Sequence, residues 1–338
     1  MKREYIAAVD IGGTKITVSI SNIDGIIVKI YQKVKLEGAD NKTIPKQVEN
    51  LINFACNKGK IDIGDIISIG VSTASPFEIR GRYHVVVSPN LCNVPDKNTW
   101  EYIPLEEELS EAFPTQKIKI GNDCVTALIA EKLFGAAQNE DNCVYVTWST
   151  GIGLGLCVDG NTLHGKNGNA GHAGHQLLEE NSHSECGCGN FGDMEGLVSG
   201  TAIQRDFNDS PEKAFDEFQK EDGFAKAKTV IENAIRRFSR GLYNVATTLD
   251  TKLFVIGGSV FLNNQKVLLP LIENEFKKYF PAMTKNVYFK SSELHNYLGD
   301  IAALSLVMPE QWIKIWNKNT PWQNAPSMIK LNEMGNEV

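Results

Sequence analysis

The sequence predicts an α/β protein of two lobes with related topology. Three observations predict it. Apolar strand-like runs alternate with stretches of helical periodicity along the chain, a pattern that builds sheets covered by helices. A unit of strand, glycine turn and strand occurs twice, at residues 5–20 and again at 143–158. At ~100–200 residues per domain, 338 residues suffice for two lobes that each bury a core.

The elements follow in order. Tyr5-Ile6-Ala7-Ala8-Val9-Asp10 is a short apolar strand, residues 11–15 are a turn, and residues 16–20 alternate like a returning strand, so the chain opens on a hairpin. A third strand is expected around 26–34. A helix is expected over 44–56, with Val48, Leu51, Ile52 and Ala55 on one face, followed by a buried strand at 66–71. A stretch bearing Pro, Gly and Asn, 76–95, leads to a helix near 105–112 and a strand at 117–120. The first lobe is expected to span 1–120, joined by a C-terminal helix at about 300–316, and the second to span 121–299. In the second lobe a helix at 125–134 precedes a strand at 143–148, a glycine turn and a strand reaching 158. A long helix at 224–249, a strand at 253–256 and the turn Gly257-Gly258-Ser259 complete it. The last helix should start near Gly299-Asp300 and run through Trp316, leaving 317–338 as a polar surface extension.

Composition narrows the function. The chain carries 34 Lys+Arg against 41 Asp+Glu, and a net charge of −7 argues against a nucleic-acid binder. A hydrophobic fraction of 42% excludes disorder as the main state. No apolar run approaches the ~20 residues of a membrane helix. The opening Met1-Lys2-Arg3-Glu4 leads directly into a strand, so neither signal peptide nor anchor is expected. Most of the seven cysteines stand singly in apolar stretches, which suits a reduced, cytoplasmic setting. Cys186 and Cys188, one residue apart and flanked by glycines, are candidate metal ligands.

Asp10-Ile11-Gly12-Gly13-Thr14-Lys15 places an acid at a strand end and two glycines in a tight turn, where backbone N–H groups can approach an anion. That suits nucleotide phosphates and magnesium; the plain alternative is an ordinary hairpin turn. Ser149-Thr150-Gly151-Ile152-Gly153 offers hydroxyls and glycines in the same setting of the second lobe. A dinucleotide fingerprint is excluded, because Gly151, Gly153 and Gly155 follow a GxGxG spacing that leads into a strand instead of opening a helix. There is no GxxxxGK[ST] loop either. Gly121-Asn122-Asp123 stands at a strand-to-helix junction, where a cap is the bland reading. The imidazoles of Gly171-His172-Ala173-Gly174-His175, the thiols of Cys186 and Cys188 and a carboxylate of the following Asp193-Met194-Glu195 lie close enough in sequence to form a tetrahedral zinc site.

Together these pieces resemble the ROK family of sugar kinases and sugar-responsive repressors, within the actin-like, hexokinase-like ATPase superfamily. The resemblance covers about residues 5–310 and rests on the order of the pieces: the Asp10 to Lys15 loop, Ser88-Pro89-Asn90-Leu91, Asn122-Asp123, Ser149 to Gly153, the Gly-His-Cys-rich segment and Gly257-Gly258. It implies a two-lobed ATPase fold with the active site in the cleft between lobes, and Asp123 as the base that takes the proton of the attacking sugar hydroxyl. Asn90, Asn122, His172, His175 and Glu195 would bind the sugar. Asp10 would position magnesium, Gly12, Gly13, Thr14, Lys15, Thr150 and Gly151 would surround the phosphates of ATP, and Gly257 and Gly258 would lie against the nucleoside. Two departures stand out. The family's usual Gly-Glu-x-Gly-His reads Gly171-His172-Ala173-Gly174-His175 here, and the third cysteine of its CxCGxxGCxE zinc motif is Asp193. A zinc site would then consist of His175, Cys186, Cys188 and Asp193, with His183 as the alternative nitrogen.

The expected function is an ATP-dependent kinase acting on the 6-hydroxyl of a hexose or N-acetylhexosamine, with N-acetylmannosamine slightly favoured through His172. A glucokinase or broad hexokinase is the alternative. A non-catalytic sugar-sensing regulator of the same fold ranks below both, because a repressor would carry a helix-turn-helix ahead of the first strand. The expected partners are a small-molecule sugar and other copies of the chain in a homodimer or homotetramer, with no nucleic acid and no membrane.

Overall fold

The computed structural model describes residues 4–37 and 40–338. The chain begins β1 (Tyr5–Ile11), β2 (Lys15–Asn22), β3 (Gly25–Lys33), α1 (Thr43–Gly59), β4 (Ile66–Thr73), β5 (Phe77–Arg80), β6 (Tyr83–Val86), α2 (Pro89–Cys92), α3 (Leu105–Ala112), β7 (Lys117–Asn122) and α4 (Asp123–Phe134). It continues with β8 (Cys143–Trp148), β9 (Ile152–Val158), β10 (Asn161–Thr162), α5 (Met194–Val198), α6 (Gly200–Phe207), α7 (Pro211–Phe218) and α8 (Ala225–Leu249). Then come β11 (Leu253–Gly257), α9 (Ser259–Phe276), α10 (Pro281–Thr284), β12 (Tyr288–Ser291), α11 (Leu298–Ser305), α12 (Glu310–Asn319) and β13 (Ile329–Leu331).

Two compact units result. The first comprises the chain up to Phe134, residues 164–169 and the return from Leu294 onward; the second comprises Gly135–Leu163 and Ala170–Glu293. The first unit reaches past the boundary expected at 120 because β7 pairs in parallel with β4 and α4 packs on α11.

In the first unit the strand order is β13-β3-β2-β1-β4-β7. β1, β4 and β7 run parallel, so Asp10 stands beside Ser72 and Thr73 beside Asn122, at the carboxyl ends of the strands. Carboxyl ends of parallel strands are where open α/β sheets bind ligands. The face of α1 read from its spacing, Val48, Leu51, Ile52 and Ala55, is buried against this sheet.

In the second unit the order is β10-β9-β8-β11-β12, with β8, β11 and β12 parallel. Its core runs from Trp148, stacked on Phe238 at 4.1 Å between centroids, out to Phe254, Phe276 and Phe289. No helix among the described residues is long and apolar enough to cross a membrane.

Three expectations need correction. Residues 76–95 hold the β5–β6 hairpin and not only a loop. The expected final helix is two: α11 stops at Ser305 and α12 restarts after Pro309, which has no N–H to continue the ladder. Residues 317–338 are no mere surface extension, since β13 pairs with β3 and Trp322 is buried with Trp316 against Phe134.

Candidate functional site

In the first unit the hairpin register Asp10↔Thr17 and Ile11↔Ile16 leaves residues 12–14 as the turn, closed by the Gly12 N–H donating to the Lys15 carbonyl at 2.9 Å. Gly13, Thr14 and Lys15 are exposed, and Gly13 faces the Asn90 backbone, so the structure brings these two sequence-distant motifs together. Asp10 lies just inside. Burial pushes its carboxyl up to about 6; Lys15 opposes the rise, while Asp123 and Asp300 add to it. Asp10 and Asp123 therefore share one electrostatic environment, although 113 residues of sequence separate them.

Asn122 is the last residue of β7 and Asp123 the first of α4. Asn122 Oδ1 caps the helix by accepting from the N–H groups of Cys124 and Val125 at 2.9 and 3.2 Å, and its Nδ2 donates to Ser75 Oγ at 2.6 Å. The bland capping reading thus describes Asn122 as the protein stands. Asp123 is exposed, and its Oδ1 accepts from the Cys124 N–H at 2.8 Å. One group escaped the sequence reading. Asp300, in the first turn of α11, pairs with Lys29 at 2.5 Å, and burial raises its carboxyl while Lys29 and Lys15 lower it. The available signal was an acid opening an otherwise apolar helix.

In the second unit the matching turn is 149–151, where the Ser149 N–H donates to the Gly151 carbonyl at 3.0 Å. Glu195, on α5, reaches back to this turn: its Oε2 accepts from the Ile152 N–H at 2.8 Å. Gly257 ends β11, and Gly258 has φ +86° with its Cα so near the Trp148 backbone that a Cβ would lie 2.4 Å from the Trp148 carbonyl oxygen. Only glycine fits there. The His172 turn packs on β9 in the same way, with Gly171 at φ +97° and its carbonyl accepting from the Leu154 N–H at 3.1 Å. His172 and His175 stand 6.1 Å apart, ring centre to ring centre.

The structure gathers His175, Cys186, Cys188 and Asp193 so that one ligand atom of each lies within 4.8 Å of the others. His183 is not in this group. Asp193 divides its oxygens: Oδ1 caps α5 by accepting from the Gly196 N–H at 2.7 Å, and Oδ2 faces His175 Nδ1 at 3.1 Å and Cys188 Sγ at 3.4 Å. Burial works against the Asp193 carboxylate, yet the His175 contact, the Gly196 N–H and the two thiols outweigh it and hold its pKa low. The same contact raises His175, against burial, and burial suppresses ionisation of the Cys186 thiol. Two thiols, an imidazole and a carboxylate held this tightly fit a tetrahedral zinc ion, which would relieve the buried thiol.

Residues 6–309 match the ROK family. The chain belongs to that family. It is 28% identical over 297 residues to a glucokinase of Aeropyrum pernix, covering 82% of this chain and 88% of the relative. An N-acetylmannosamine kinase of Haemophilus influenzae is 27% identical over 282 residues, covering 82% and 86%. A xylose repressor of Bacillus subtilis is 25% identical over 272 residues, covering 79% and 67%. Among solved structures, the ROK hexokinase of Thermus thermophilus superposes with a TM-score of 0.74 at 26% identity, covering 89% of this chain and 97% of that one. The fold is the two-lobed actin-like ATPase fold.

Proposed function

We propose that the protein is an ATP-dependent sugar kinase that phosphorylates the 6-hydroxyl of a hexose or N-acetylhexosamine. The observation that carries this reading is the exposed Asp123 carboxylate in the electrostatic field of Asp10. A base and a metal-positioning acid are what phosphoryl transfer to an alcohol requires. In this reading Asp123 accepts the hydroxyl proton as the sugar oxygen attacks the γ-phosphorus and ADP departs. Gly12, Gly13, Thr14, Thr150 and Gly151, with Lys15, surround the phosphates, while Gly257 and Gly258 border the nucleoside. Asp10, with Asp123 and Asp300 near, opposed by Lys15 and with Lys29 paired to Asp300, fits a divalent cation; magnesium held there would neutralise phosphate oxygens.

Asn90, Asn122, His172, His175 and Glu195 are assigned to the sugar. His175 is also assigned to zinc, which would shape the loop presenting Glu195, since Cys186 Sγ lies 3.3 Å from Glu195 Oε1. His172 favours N-acetylmannosamine over glucose, because a neutral imidazole can donate to an acetamido carbonyl where a glutamate only accepts. The glucokinase relatives support glucose as the second reading. A coupled assay with MgATP over glucose, mannose, fructose, glucosamine, N-acetylglucosamine and N-acetylmannosamine decides between them. Absence of sugar-dependent ADP release with all six would overturn the kinase reading and leave a sugar-sensing regulator.

A further inference from the structure

We propose that Asn169 is a positioning residue for sugar recognition, a role that rests on the kinase reading above. Residues 164–169 cluster with the first unit, and the chain enters the second at Ala170. Asn169 ties that excursion down. Its Oδ1 accepts from the Phe77 N–H at 2.7 Å and its Nδ2 donates to the Phe77 carbonyl at 2.8 Å. A primary amide that answers both backbone groups of one residue fixes its own plane as a strand rung would. Phe77 is itself immobilised. Its ring is 3% exposed, faces His84 edge-on at 6.1 Å between centroids, and lies against the Gly168 backbone. His84 in turn meets Glu106 Oε2 through Nδ1 at 3.0 Å.

The segment gripped by Asn169 also carries Ser75, whose hydroxyl accepts from Asn122 beside Asp123. On the other side, only Ala170 separates Asn169 from Gly171, whose carbonyl accepts from the Leu154 N–H, and His172 follows directly. Within the first unit one path of contacts therefore runs Asn122–Ser75–Phe77–Asn169, and the chain leaves it at Ala170, two residues before His172. Breaking the clamp lengthens the free joint that leads into the His172 turn, so the imidazole assigned to the sugar loses its anchored approach. A misplacement of ~1 Å is enough to lower turnover on the misplaced substrate severalfold to a hundredfold.

The test is Asn169→Ala in the full-length protein, with Gln116→Ala as the control for a lost amide bond elsewhere in the first unit, where Gln116 donates to the Ile63 carbonyl at 3.1 Å. The expected result is a sugar KM raised roughly tenfold or more with an ATP KM within about twofold, a split absent from the control. Hydrogen exchange should meanwhile accelerate at the Phe77 amide and through residues 164–172. Unchanged exchange over 164–172 overturns the proposal, whatever the kinetics. Faster exchange with sugar and ATP KM moving together also overturns it, because the clamp then serves stability alone. Lack of turnover by the unmodified protein with every sugar sinks the kinase reading, and this role with it. Normal turnover by the unmodified protein with no such split in Asn169→Ala sinks the Asn169 inference alone.

Discussion

Replacing Asp10 by Asn should make the metal-free protein more stable near pH 7.5 while removing its sugar-dependent turnover. Burial is the largest cause that lifts the Asp10 carboxyl from an ordinary 3.8 to about 6. A carboxyl whose pKa is higher folded than unfolded holds its proton more tightly in the folded chain. Its destabilising effect is therefore absent below the unfolded value, grows as pH rises from about 4 to about 6, and is complete above that. Each tenfold change in acidity corresponds to ~1.4 kcal/mol, which gives a ceiling of about 3 kcal/mol at neutral pH, and partial exposure lowers it to ~1–3 kcal/mol. Asparagine keeps the size and never ionises. Thermal unfolding without added magnesium should show Asp10→Asn melting several degrees above the unmodified protein at pH 7.5, at ~2–4 °C per kcal/mol, with the gap narrowing by about half at pH 5. Adding MgATP should raise the unmodified protein and leave the variant nearly unmoved. A variant that melts at or below the unmodified protein at pH 7.5 would refute the burial argument.

Four further outcomes are expected. Asp123→Asn should lower sugar-dependent ATP turnover by ~10²-fold or more while calorimetry still detects sugar binding, since the amide cannot accept the proton. Metal analysis of protein purified without chelator or added zinc should give one zinc per chain, and Cys186→Ser should remove it; a stoichiometry near zero in the unmodified protein counts against the cluster as a zinc site. His172→Glu should shift the ratio of kcat/KM for N-acetylmannosamine over glucose toward glucose by roughly ten- to a hundredfold, and an unchanged ratio removes His172 from specificity. Trp316→Ala should destabilise the chain by ~3–5 kcal/mol in denaturant titration, because a fully buried ring is lost together with its Nε1 bond to the Ile23 carbonyl at 3.1 Å.

Local signals served well where local chemistry governs. Alternating or continuous apolar runs marked β1, β2, β8 and β11, and the spacing of Val48, Leu51, Ile52 and Ala55 marked α1 with its buried face. The reading weakened where tertiary partners decide. β12 is a strand of four residues that exists because β11 lies beside it, and Tyr288 and Lys290 on its outer side give no apolar run. α9 carries Pro270 inside it, which argues for a break in sequence terms. The cluster of His175, Cys186, Cys188 and Asp193 could be anticipated because its members lie within 19 residues of one another. Neither the Lys29–Asp300 pair nor the Asn169–Phe77 clamp could be, since each joins residues far apart by contacts that no spacing encodes.

The place of β13 has a consequence for the order in which the chain can fold. Ile329, Lys330 and Leu331 pair with Ile30, Tyr31 and Gln32, and the Gln32 amide donates to the Asn332 carbonyl across 300 residues of sequence. On a ribosome β3 must therefore wait for residues made about 300 positions later, with its edge open to unwanted pairing meanwhile. The second unit has no such dependence, because its strands and helices all lie between Gly135 and Glu293. The half of the protein begun later can thus be complete while the half begun first still awaits its final strand.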